Sequence, residues 1–197
     1  MNKGELTKEY IIEQAAILFN TKGYTGASMS ELMTLTGLKK GGIYNHFQSK
    51  EEIAVEAFDY SIRLVNEAVY SVTKPPTTAS GKLIALVKFY RDYPLNSVII
   101  GGCPILNTTV DADDTNPVLK ARVQQALDDW IKGLVAIINK GIREGEFKAN
   151  INAEEAAVVI ISLIEGGIVM ARSFGDSKYM DIVARQLMNY IEVELKI

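Results

Sequence analysis

Apolar residues recur at three-to-four spacing along most of the chain, and no stretch alternates with period two, so the pattern predicts helices throughout and no strands. Two of these helices are short and nearly adjacent. Ser28 with Glu31 forms a capping box that opens a helix carrying Met29, Leu32 and Met33 on one face, and Gly37 ends it by supplying a left-handed turn. Leu38 plugs the corner. A second helix then runs from Lys39 to about Phe47, with Ile43 and Phe47 turned inward and Lys40, Gly41, Asn45 and His46 left outside. The spacing is that of a helix-turn-helix.

The same reading places the other elements. A first helix runs from an N-cap at Thr7 to Thr21, buries Ile12, Ala15, Ala16 and Phe19, and stops at Gly23. Ser49 caps a fourth helix that continues to about Val72 and ends before Pro75-Pro76, which no helix can cross. Further helices are expected from Ser80 to Tyr93, from Pro104, from Asn116-Pro117 to Gly145, from Asn152 to Phe174, and from Asp176 or Ser177 to the end, with Leu95–Cys103 as a loop. The expectation is an all-α protein of nine helices. Its boundary is expected between a helix-turn-helix domain at 1–48 and a larger helical domain at 49–197.

Charge sharpens the division. Residues 1–50 carry six lysines against four acids, whereas residues 51–197 carry fifteen cations against twenty acids, so an acidic chain has a basic beginning. Gly41 and Gly42 each cost about 1 kcal/mol relative to alanine inside a helix, which helix stability alone would not select. Close approach of DNA to bare backbone explains them, with lysines alongside for phosphates and guanines.

Residues 37–53, GLKKGGIYNHFQSKEEI, resemble the signature of the TetR family of ligand-responsive repressors, and the similarity extends upstream through Gly23-Tyr24. Lys39 stands where the family usually has serine or threonine, and Gly42 where it usually has threonine, alanine or serine. The resemblance implies a homodimer on a palindromic operator, released by a small-molecule effector. With the face argument it implies base contacts from Lys40, Gly42 and Asn45. Ser28, Lys39, Tyr44, His46 and Lys50 are then expected at phosphates or packed beside them, with Gly41 in the same surface.

Residues 156–170 leave almost no polar side, and a helix apolar all round needs cover on every face. Ala157, Ile160, Ile161, Ile164, Gly167, Ile168 and, on the last helix, Leu187 are therefore expected at a two-fold dimer interface, as the resemblance also implies. An effector pocket is expected among Tyr60, Phe89, Tyr90, Cys103, Asn107, Trp130 and Met170, bulky or polar residues on predicted inward faces.

Other functions fit less well. His46 and Cys103 are the only histidine and cysteine, which leaves no catalytic pair and no histidines for a di-metal bundle; neither an enzyme nor a metal or other cofactor is expected. No uncharged apolar run approaches the length of a membrane span and no signal peptide is evident, so a cytoplasmic protein is expected. An activator on the same scaffold, or a thiol-based redox sensor at Cys103, stays open beside the repressor.

Overall fold

The computed structural model describes residues 2–197. Helix α1 (Lys3–Gly26) starts ahead of Thr7 because Asn2 and Glu5 cap one another's N–H groups, at 3.0 and 2.7 Å. Thr7 instead returns its hydroxyl to the Lys3 carbonyl. Gly23 leaves helical geometry at φ 74°, where the pattern stops the first helix, and a short helical piece continues to Gly26; the Asp111 carboxylate sits against this kink and accepts the Thr25 N–H at 3.1 Å. Helix α2 (Met29–Thr36) has the expected Ser28–Glu31 box and the left-handed Gly37, and α3 (Lys40–Tyr44) follows. Helix α4 (Lys50–Thr73) starts where the Ser49 hydroxyl accepts the Glu52 N–H.

The remaining helices are α5 (Ala79–Asp92), α6 (Pro104–Ala112), α7 (Pro117–Arg143), α8 (Ala153–Phe174) and α9 (Lys178–Asn189), the last continuing as a π-helical turn at Tyr190–Leu195. Asn116 accepts from the N–H groups of Val118 and Leu119, which is why α7 starts there. The all-α expectation holds: among the described residues the only β-type pairing is an isolated bridge between Phe147 and Lys196.

Compact packing does not divide the chain at residue 48. The first unit is residues 1–65 together with 99–126, and the second is 66–98 together with 127–197. In the first, Ile11, Ala15, Leu32, Ile43, Phe47, Ile53 and Ala57 close a core under the helix-turn-helix. Helix α6 packs on α1 in this unit through a buried polar junction. The Asn20 amide donates to the carbonyls of Ile100 and Gly102 at 2.9 and 3.0 Å, while the Asn107 amide donates to the Asn20 carbonyl, the Asn20 side-chain oxygen and the Gly101 carbonyl at 2.9–3.1 Å. Gly101 has φ 109°, and a Cβ there would lie 2.5 Å from the Asn20 carbonyl oxygen.

In the second unit α9 packs on both α5 and α8. Helix α8 has the length and apolarity of a membrane-crossing helix, yet one whole side of it, Ala157, Ile160, Ile164 and Ile168, is built into this unit's core. Glu146, in the turn before α8, accepts the N–H groups of Ala79 and Ser80 at 2.7 and 2.8 Å and so caps α5. Burial pushes the Glu146 carboxyl up, but these hydrogen bonds outweigh it and hold its pKa below the usual value. A carboxyl with a lowered folded pKa stabilises above its unfolded pKa, about 4.3, and loses that contribution as pH falls towards the folded value. Glu146→Gln should therefore melt below wild type at pH 7, with the gap closing in acid; a gap constant from neutral pH to about pH 3 would rule the charge out as its source.

Candidate nucleic-acid interface

Helix α3 is anchored by one fully buried residue, Ile43, with Phe47 just beyond it at 2 % exposure. Opposite that anchor, Gly41 and Asn45 lie four residues apart on the exposed side, while Gly42 and Tyr44 are half-buried at its edges. Lys39 occupies the N-cap without any side-chain cap hydrogen bond. Lys40 holds its ammonium 5.6 Å from the centre of the Tyr44 ring. His46, half-buried at the end of the corner, lies close to Gly4 of the first turn of α1.

The lysines of this unit fall into two groups. Lys8 pairs with Glu56 at 2.8 Å, and Lys22 pairs with Glu31. The Glu31 carboxyl is held at a pKa of about 2 by the Lys22 hydrogen bond and by Ser28, so the box that starts α2 stays ionised. Among the described residues, Lys39 and Lys40 have no carboxylate within ion-pair distance. Two adjacent cations without acids, beside a bare and exposed helix face, form an electropositive surface ready for phosphates.

Two expected phosphate contacts are otherwise engaged. The Lys50 ammonium donates to the Tyr24 carbonyl and lies 4.3 Å from the Tyr24 ring centre, and desolvation there lowers its pKa. It fastens the kinked end of α1. The Ser28 hydroxyl donates to Glu31 Oε2 at 2.8 Å and accepts the Glu31 N–H at 3.2 Å, which commits it to the capping box.

The expected dimer residues do not form an exposed surface of the chain. Ala157, Ile160, Ile161, Ile164, Gly167, Ile168 and Leu187 are all buried within their own chain. A Cβ on Gly167 would lie 2.6 Å from the Met180 sulfur on α9, whereas one on the adjacent Gly166 would meet nothing within 4 Å. The side of α8 left open carries Val159, Leu163, Met170 and Phe174, with Val158 and Val169 at its margin and Ile182 exposed on α9. Hydrophobic period alone does not tell the two sides of such a helix apart.

The expected pocket residues divide between the two units. Phe89, Tyr90 and Trp130 do come together, with Tyr93, in the second unit: Phe89 meets Tyr90 edge-on at 5.0 Å and Tyr90 stacks on Trp130 at 5.3 Å. Met170 is 43 % exposed and points away from the core. Tyr60, Cys103 and Asn107 belong to the first unit. Tyr60 lines an open cleft of about 570 Å³ with Glu5, Glu9, Glu56, Asp59, Lys8 and Arg63. Cys103 is buried at the start of α6, and the Asn107 amide is used up in the junction with Asn20. A void of about 20 Å³ between α1, α4 and α6 has room for a single water. Asn20 and Asp111, which carry the α1–α6 junction, were not apparent from sequence; a polar residue at the end of a predicted apolar stripe, as Asn20 is, was the available signal.

Comparison with known proteins bears on both halves. The family model for bacterial regulatory proteins, tetR family, matches residues 11–57, and that for the tetracyclin repressor-like C-terminal domain matches residues 79–187. An uncharacterised HTH-type transcriptional regulator of Mycobacterium tuberculosis (strain ATCC 25618 / H37Rv) is 30% identical over 197 residues, covering 95% of each chain. The HTH-type transcriptional repressor DhaR of Mycobacterium sp. (strain GP1) is 21% identical over 166 residues, 82% of this chain and 80% of its own. The crystal structure of a TetR transcriptional regulator from Chloroflexus aurantiacus is similar at a TM-score of 0.97 and 37% identity, with both chains covered in full.

Proposed function

Because the chain belongs to the TetR family of transcriptional regulators, we propose that it is a ligand-responsive repressor that binds a palindromic operator as a homodimer and is released by a small molecule. The observation that carries this reading is the outward face of α3, where Lys39 and Lys40 have no acidic partner among the described residues and lie beside exposed Gly41 and Asn45. Asn45 is suited to a bidentate contact with adenine in the major groove, and the two lysines to phosphates or guanine. Two such helices meet two half-sites only if the chain pairs with itself. The open apolar side of α8, with Ile182 of α9, supports that pairing, since a soluble chain rarely leaves so broad an apolar stripe uncovered.

The aromatic cluster of Phe89, Tyr90, Tyr93 and Trp130 supports an effector site in the second unit. Helix α4 is a continuous route for its signal: Lys50–Val65 belong to the first unit and Asn66–Thr73 to the second. An effector that favours the DNA-incompetent arrangement weakens operator binding by its own differential affinity, typically about 1–3 kcal/mol.

Selection of bound duplexes from a random pool tests the reading. A palindrome should emerge, and on it Asn45→Ala should lose about 1–3 kcal/mol of specific binding while non-specific binding is unchanged. Lys39→Ala should instead weaken every sequence and reduce the slope of log affinity against log salt by about 1. Equal loss of specific and non-specific binding in Asn45→Ala would remove it from the base-reading surface. Once an effector is identified, calorimetry with and without operator should show that operator lowers effector affinity by the same factor by which effector lowers operator affinity; identical effector affinity in both states would contradict release by that ligand.

A further inference from the structure

The glycine at the centre of the α3 face has no cause inside the chain. Gly41 is helical, is absent from the positive-φ residues, is exposed, and would place a Cβ with nothing within 4 Å. Gly42 is also helical, and its Cβ would make only ordinary contacts with Leu38, at 3.7 and 3.9 Å. Neither conformation nor packing requires glycine at these positions, yet each weakens a five-residue helix. What excludes the side chain is therefore outside the protein, and the reading of α3 as a major-groove element, on which the present inference rests, says what that is.

We infer that Gly41 is a specificity-determining residue that reads a thymine by contact between its bare backbone and the base's C5-methyl group. A position without a side chain offers no side-chain hydrogen bond, so it selects by shape and by what it leaves dry. The exposed edges of guanine, adenine and cytosine in the major groove present donors and acceptors that contact with a bare Cα would strip of water without replacement. The thymine methyl is the one apolar group that projects into that groove, and it loses no hydrogen bond on contact. Asn45, one helical turn further along the same face, then stands over a neighbouring base pair, where its amide matches the N6 and N7 groups of adenine.

The test exchanges a methyl between protein and DNA. Duplexes selected by the wild-type protein are remade with single thymines replaced by uracil, which pairs identically and lacks only the methyl. One such replacement in each half-site should weaken wild-type binding roughly 15-fold, about 4-fold for each of the two buried methyl groups removed. Gly41→Ala should melt about 2–4 °C higher than wild type, bind the thymine operator at least 10-fold more weakly, and recover most of that loss on the duplex with uracil at that one position. Wild-type binding indifferent to every uracil, tight binding of the thymine operator by Gly41→Ala, or a lower melting temperature in that variant would each overturn the inference while leaving the regulator reading in place. Failure of the selection to enrich any sequence would overturn the regulator reading itself.

Discussion

Replacing Leu163 with glutamate should leave each chain folded and abolish both self-association and tight operator binding. Leu163 is 37 % exposed, and it is flanked on the same side of α8 by Val159 and Met170 and by Gly166, whose Cβ position is open. A carboxylate there stays hydrated in the monomer and costs the fold about 0.5 kcal/mol or less. In a two-fold interface the same charge appears twice on one apolar seam, and burying it unpaired costs several kcal/mol per chain. Sedimentation should then show a monomer at micromolar concentration, and operator affinity should fall at least about 1000-fold, the lower end of the gap between specific and non-specific binding. The neighbouring Ile164→Glu separates the two sides of the helix: Ile164 is 0 % exposed, so its variant should unfold rather than dissociate. A Leu163→Glu protein that remains dimeric would place the interface elsewhere.

Gly101→Ala should be among the most damaging single methyl additions in the chain. Residue 101 has φ 109°, a region that costs an L-residue of order 1–3 kcal/mol, and the added Cβ would lie 2.5 Å from the Asn20 carbonyl oxygen and 2.8 Å from its carbon. Backbone on backbone has no flexible side chain to give way, so a total of about 3 kcal/mol or more is expected, a fall of about 6–12 °C in melting temperature for a chain of this size. Asn20→Ala should lose about 1–3 kcal/mol by a separate route, since it removes the amide that donates to the carbonyls of Ile100 and Gly102 and an acceptor of the Asn107 amide. Both variants act on the junction that joins α6 to the helix-turn-helix unit, so operator binding should weaken with stability in each. Wild-type melting of Gly101→Ala would show that this loop is free to move off α1.

The helix-turn-helix was legible in the sequence because its determinants are local. The Ser28–Glu31 box, the Gly37 corner and the Ile43–Phe47 spacing each act within four residues, and all three appear in the structure where the pattern puts them. Capping chemistry likewise placed the starts of α4, α7 and α8 at Ser49, Asn116 and Asn152. The first helix starts earlier than the pattern puts it for a local reason, and runs past its break at Gly23 for a distant one. Asn2 with Glu5 is a better cap than Thr7, and Gly23 is held as a kink by Asp111, a residue far along the chain.

The positions that only the tertiary structure decided are those where the determinant is a distant neighbour. The apolar residues of α8 satisfy a helical period on every side, so the periodicity predicts burial without saying whose surface provides it. The packing of α9 at Gly167, beside the open space at Gly166, assigns one side to the chain's own core and leaves the other bare. Lys50 reads as a phosphate contact until the carbonyl and ring of Tyr24 are seen beside its ammonium, and Asn107 reads as a ligand anchor until Asn20 and Gly101 claim its amide. Short-range backbone geometry thus settled which elements form and where the exposed face of α3 lies, whereas long-range contacts settled which polar groups are already satisfied and which apolar ones are not.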